Sequence, residues 1–487
     1  MKTHQYHQLY GSAGDSEAAW RRLDELAPLG GAVDAVLRAS RLPLRTQLPL
    51  TPAEWHPALL RSHVTAGRLA LNYTAAALSS DAMHAVGDVL TLSLALFPTT
   101  VDGCNDRQVE ERLRAAFASL HALRTLTVTW GCSSDTMELF ASALSCLVSL
   151  TCLDLSENIL AGPAAIALAP PLGRLSQLAH LDLNWSDIHD AAAAALAPAL
   201  GCLTTLTFLN LSNSTLDVAG AAALAPALRR LSQLQHLNLR EAFSRGDAAA
   251  ALAPALRSLT ALTFLDCPYN LAVAGMRAAA PAFGRLSQLA HLNLGGCAWD
   301  DGTAMLAAHL SHLTALTEIG LGGTRLGDGG AAALVPALAR LPLLAHLHLA
   351  KNEIGDVGAA ALAPALTHLR LLTYLDLYEN EMGDGGAAAL APALARLPLL
   401  AHLDLADNEM GDGAAAALAP ALARLPLLAH LDLSSNDFSD GGVPHFAAAL
   451  AGLSALTFVD FELNDFSAAG KAQFRAAVPS VTFHCLR

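Results

Sequence analysis

Charge is scarce in this 487-residue sequence: Asp, Glu, Lys and Arg make up 15% of it, and 29 basic residues face 43 acidic ones. The formal charge of −14 argues against a nucleic-acid binder, which sets clustered Lys and Arg against phosphates, and favours a protein partner with a basic surface. The eight cysteines, at 104, 132, 146, 152, 202, 267, 297 and 485, form no CxxC pair and lack the density of a disulfide scaffold. Most fall at apolar positions of the pattern below, as reduced, buried thiols of a cytosol-like compartment would. The opening MKTHQYHQLYGSAGDSE has no apolar core of a secretory signal, so a cytoplasmic location is expected, with export through a non-classical signal as the alternative. Uninterrupted apolar runs are also missing: Pro198, Thr204, Thr205 and Thr207 break the Ala/Leu stretch 191–211, which argues against a membrane span. The terminal HCLR is one residue short of a prenylation box.

What is present is a repeat. Hydrophobic residues reach 53%, much of it Ala and Leu. The stretch LPLLAHLDLADNEMGDG, 397–413, recurs one unit later as LPLLAHLDLSSNDFSDG. Positions equivalent to Leu403 occur at 126, 153, 181, 209, 237, 265, 292, 319, 347, 375, 403, 431 and 459, always 27 or 28 residues apart. Leu69 and Leu92 read as degenerate members, with an insertion around FPTTVDGCNDRQ, giving about fifteen units over 66–487 and a terminal half-unit near VTFHCLR as a C-terminal cap.

Within a unit, Leu403-Asp404-Leu405 alternates with period two and predicts a short strand whose leucines face one way, with Asp404 and His402 facing the other. The run 411–425 has helical spacing, and Asp412 near its start is placed to cap or complement that helix. One strand and one helix cannot bury their leucines alone, so the units must stack. The fold class is therefore α/β: a curved solenoid, or horseshoe, with parallel strands on the concave face and Ala-rich helices on the convex face. Asn158, Asn270, Asn352, Asn380, Asn408, Asn436 and Asn464 share one repeat position, where an inward amide can satisfy turn carbonyls. Cys297, Ser186, Ser214, Thr324 and Ala242 replace it elsewhere, so the units from 181 to 347 are expected to be the looser part. A proline recurs in the helical run, at 420 for example, and predicts a kink or a fresh helix start.

The 28-residue period, LxxLxLxxN and the following GDxGAAAL resemble the ribonuclease-inhibitor-like class of leucine-rich repeats over about Leu69 to Phe483, and GAAALA is similar to the GALA-type repeats of bacterial effectors. The resemblance implies a binding scaffold. That class also includes GTPase activators of the Ran type, and F-box modules precede such repeats in some ubiquitin-ligase receptors, which sets the alternative function. No G-x-x-x-x-G-K loop exists, so the nucleotide-binding part of an immune receptor is absent.

Two rows should line the concave face. One carries His180, Phe208, His236, Phe264, His291, His346, Tyr374, His402, His430 and Phe458; the other Asp182, Asp266, His348, Asp376, Asp404, Asp432 and Asp460. Rings supply anchoring area and carboxylates meet Lys or Arg, so these are the candidate partner-binding residues. His402, Asp404, His430 and Asp432 have ligand types that zinc accepts, yet an open sheet supplies no enclosed site, and no metal or cofactor is expected. With no G-x-S-x-G or other activated nucleophile, catalysis is not expected either. Histidines of ordinary pKa, 6 to 6.5, would make binding of a basic ligand weaken on mild acidification. A monomer is expected. Residues 1–65 suggest short helices, either an N-terminal cap or a small adaptor-like segment.

Overall fold

The computed structural model describes residues 68–73, 91–96, 110–111, 114–115, 117–129, 134–243, 248–269, 273–297, 302–477 and 482–484. The expected 1–65 segment and Asn270 lie outside these residues. Contacts divide the chain into two compact units, Met1–Leu153 and Asp154–Arg487.

In the first unit, β1 (Arg68–Tyr73), β2 (Thr91–Leu96) and β3 (Thr125–Thr129) run parallel. Leu69 pairs with Leu92 and Leu92 with Leu126, so the two irregular spacings do belong to one register. Leu126 and Val128 are buried, and Phe117 meets Phe140 edge to face, with ring centroids 5.8 Å apart. β4 (Cys152–Asp154) lies where the two units divide.

The second unit repeats one step. Its strands are β5 (His180–Asp182), β6 (Phe208–Asn210), β7 (His236–Asn238), β8 (Phe264–Asp266), β9 (His291–Asn293) and β10 (Glu318–Gly320). They continue as β11 (His346–His348), β12 (Tyr374–Asp376), β13 (His402–Asp404), β14 (His430–Asp432), β15 (Phe458–Asp460) and β16 (Thr482–His484). Each pairs in parallel with the next, Leu375 opposite Leu403 and Leu403 opposite Leu431. The central residue of each strand from Leu181 to Val459 is fully buried, while its two neighbours stand on the other face, as period-two alternation requires. Val459 pairs with Phe483, which places the terminal half-unit in the sheet. Packed helices need roughly 8–10 Å where strands need about 4.8 Å, so the strand side is the inner, concave one.

Helix Asp412–Leu422 is representative: it buries Ala414, Ala415, Leu418, Ala419, Ala421 and Leu422 on one side, and successive helices pack together through such faces. Leu425, included in the helix on spacing alone, lies in the following turn and is buried there. Pro420 does not restart this helix, which runs through it; it occupies the last turn. The carbonyl it deprives of a partner belongs to Ala416, four residues back, whose position is exposed to water. No helix of the described residues is long and apolar enough to cross a membrane.

The expected capping role of Asp412 is corrected. Gly411 is the N-cap, without a side-chain bond, and Asp412 instead accepts from the backbone N–H of Ser439 in the next repeat, at 2.9 Å. The same relation recurs upstream. Asp356 accepts from Gly383 and Gly386, and Asp384 from Gly411 and Ala414, at 2.6–2.8 Å. Helix N-termini are aligned side by side, so a carboxylate in the first turn of one reaches the orphan amides of its neighbour. Stacking order and capping are thus one interaction.

The asparagine positions behave as expected. Asn408 donates to Leu377 O and Leu405 O, both at 3.1 Å, and accepts from Met382 N at 3.1 Å, tying two repeats together. Asn352, Asn380, Asn436 and Asn464 do the same, and Asn158 donates to Leu155 O at 2.9 Å. Where hydroxyls stand in, Ser214 and Thr324 reach Leu211 O and Leu321 O, and Ser186 crosses to Leu155 O, each at 2.8 Å. A hydroxyl offers one donor where the amide offers two.

The cysteines do not share one environment. Cys267 and Cys297 are buried and Cys146 and Cys152 half-buried, while Cys202 is exposed in the turn after a helix, so the expectation that most thiols are buried is met in full by only two of the five described.

Candidate functional site

Both expected rows stand together on the strand face of the second unit. Strand register brings equivalent rings to neighbouring strands, and the rings turn flat against one another. His180, Phe208, His236, Phe264 and His291 form one continuous stack, with successive centroids 3.8, 4.3, 3.9 and 4.1 Å apart. Tyr374, His402, His430 and Phe458 form a second, with centroids 4.3, 4.1 and 4.1 Å apart.

Between the stacks the order changes. Glu318 takes the ring position, and its carboxylate lies 3.0 Å from His291, 3.6 Å from His346 and 3.5 Å from His348. His348 also approaches Asp376 at 3.8 Å, and its ring tilts against Tyr374 at 4.7 Å. Glu318 escaped the sequence reading as a site residue because it breaks the ring row; that break was itself the available signal. Among the described residues, no group of three or more His, Cys, Asp or Glu is disposed to hold a metal ion.

The acidic row is only partly available to a partner. One oxygen of Asp376, Asp404, Asp432 and Asp460 accepts the backbone N–H two residues on, at 2.7–3.0 Å, in an Asx-type turn that ends the strand. Asp182 does likewise to Asn184 and also takes a bond from Asn210. Asp266 is buried. These carboxylates were expected to project from the concave face toward a partner; the period that turns them outward also puts them beside the turn amides, so they are building parts first.

Burial governs the titration of this face. It lowers His236 and His402 to about 4, reinforced by other histidines, His291 and His180 for the first and His430 for the second. His180 and His430 are lowered by burial as well, against the pull of nearby aspartates. Burial raises Asp404 to about 7, with Asp432 and Asp376 adding repulsion and the Ala406 amide opposing it. Tyr374 is pushed up to about 12 by burial and by Asp376 and Asp404. Burial would raise Glu318, but the hydrogen bond and charges of its three histidines outweigh it and hold the group low. The expectation of ordinary histidines titrating near 6 to 6.5 therefore fails for His236 and His402, because stacked rings exclude the water that imidazolium needs.

A family model described as a leucine-rich repeat matches residues 202–225, 341–363, 368–391, 397–419 and 425–443. Among solved structures, the chain is similar to an internalin from Listeria monocytogenes, at 20% identity and a TM-score of 0.53, over 78% of this chain and 89% of that one. It is also similar to a leucine-rich repeat protein of Leptospira interrogans, at 16% identity and a TM-score of 0.53, over 83% of this chain and 92% of that one. At such identities the likeness is one of fold. No curated protein sequence matches the chain.

Proposed function

Because this chain carries matches to the leucine-rich repeat and folds as such repeats do, we propose that it is a non-enzymatic scaffold that captures a protein partner with a basic surface on its strand face. The observation that carries this reading is the pair of in-register ring stacks, His180 to His291 and Tyr374 to Phe458, flanked by the aspartate row. Rings held by their neighbours lose little freedom on binding and offer flat area, which suits them as anchors. The excess of 43 acidic over 29 basic residues supports a basic partner through steering. The 28-residue period and the GDxGAAAL run support placing the repeats in the ribonuclease-inhibitor-like class.

The test uses Asp376→Asn, Asp404→Asn and Asp432→Asn together. Asparagine keeps the oxygen that accepts each turn amide, so charge is removed without loosening the turns. Capture of the partner is expected to weaken about tenfold or more, with the circular dichroism spectrum retained; undiminished capture would reject the acidic row as the binding element.

A further inference from the structure

The strand face is indented where the ring row breaks, by a cleft of about 620 Å³, a size suited to one large side chain or a short peptide segment. Side chains are missing there for identifiable reasons. Gly320 holds the place that Asp or Asn fills in most strands, and a Cβ on it would stand 2.5 Å from Asn293 Oδ1. Gly296 is covered by the ring of Tyr269, and a Cβ there would stand 2.1 Å from two ring carbons. Gly322 lines the floor between them, and it alone of the three has room for a side chain, the nearest atom to its would-be Cβ being Ala350 O at 3.4 Å.

Tyr269 is 58% exposed and has φ of 61°. A bulky residue adopts that left-handed conformation at a cost of about 1 kcal/mol or more, and here it leaves an aromatic face open at the mouth of the cleft. Glu318 and Asp376 line the wall. The cations at the ends, Arg240 and Lys351, each sit beside a glutamate, Glu241 at 3.7 Å and Glu379 at 2.5 Å. Next to Asn293 in the sheet, Asp266 is buried with Oδ1 lacking a hydrogen-bond partner among the described residues. Its usual donor would be the amide two residues on, but that residue is Pro268, which has none. The two cations of the lining are thus paired with glutamates outside the cleft, which leaves Asp376 and Glu318 as the carboxylates that face it.

We propose that this cleft receives one arginine or lysine side chain of the partner; the proposal rests on the strand-face reading above and names its focal subsite. The aliphatic stem lies over the glycine floor, the cationic head meets Glu318 and Asp376, and the Tyr269 ring contributes a cation–π contact.

The test titrates the full chain with acetyl-Gly-Arg-Gly-amide and acetyl-Gly-Glu-Gly-amide, read by ligand-observed NMR. The arginine peptide is expected to bind and the glutamate peptide not to. Gly322→Leu, which fills the floor, and Asp376→Asn, which removes a charge but keeps the Tyr378 amide bond, are each expected to weaken the arginine peptide about fivefold or more. Gly322→Ala serves as a fold control that leaves most of the space open, and all three variants are checked by thermal melting. Equal binding of both peptides, no binding of the arginine peptide, or full binding by folded Gly322→Leu overturns the cleft proposal. Loss of partner capture by the triple asparagine variant would in those cases leave the wider strand-face reading standing, so the two can fail separately.

Discussion

His402 and His430 lie face to face, their ring centroids 4.1 Å apart and their planes 9° from parallel. Neither ring can take a proton without placing a cation against its neighbour in a place with little water. Burial first, and then His430, holds His402 near 4. In a proton NMR titration, His402 and His236 are expected to stay neutral down to pH 5.5 and to titrate near 4. Midpoints at 6 to 6.5 would mean that the stack is open to solvent.

Asp404 should show the opposite sign. Its folded pKa, about 7, is above the usual carboxylate value, so the folded state holds the proton more tightly than the unfolded chain. Stability carried by this group is full at low pH and falls as pH rises between about 4 and 7. Asp404→Asn keeps the Ala406 amide bond and is expected to raise stability at pH 8 by roughly 1 kcal/mol after allowing for solvent screening, with no gain below pH 4. Urea denaturation at pH 4 and pH 8 measures the difference, and equal stability of both proteins at pH 8 would show an ordinary carboxylate.

Asp384 accepts from Gly411 and Ala414 in the following repeat, both at 2.8 Å. Asp384→Ala is therefore expected to cost about 0.5–2 kcal/mol, the usual range for a lost helix cap. The loss should appear as faster hydrogen exchange at the start of helix Asp412–Leu422 and not of Asp384–Leu394. Fraying confined to its own helix would contradict capping between repeats.

Asn408 joins Leu377 O, Leu405 O and Met382 N. Replacing it with alanine leaves the buried Met382 N–H unpaired, while Leu377 O keeps its bond from Asn380 and Leu405 O its bond from Asn436, at about 1–3 kcal/mol. By the same logic, amides over 349–464 should exchange more slowly than those over 183–243, where Ser186, Ser214 and Ala242 occupy the position. Uniform protection would remove the ladder as a source of the difference.

The repeat made the fold legible. Leucine spacing gave the strand register, including Leu69 and Leu92, because a fixed period leaves few ways to bury the same positions. What the spacing could not show was which neighbour each polar group serves. Asp412 sits one residue inside a helix, a position that reads as self-capping, and only stacking brings it to Ser439. His402 reads as an exposed histidine of ordinary acidity, since the period places its ring outward but says nothing of the rings on either side. The break at Glu318 and Gly320 was visible as a departure from both rows, yet its meaning as a cleft needed Tyr269 laid across Gly296.

The most direct test of partner capture on the strand face is site-specific photo-crosslinking, with the photoreactive residue placed either at His346 on the strand face or at Ala416 on the exposed helix face. Crosslinks to one partner from His346, and none from Ala416, are the predicted result; the same partner captured from Ala416 and not from His346 would contradict the account.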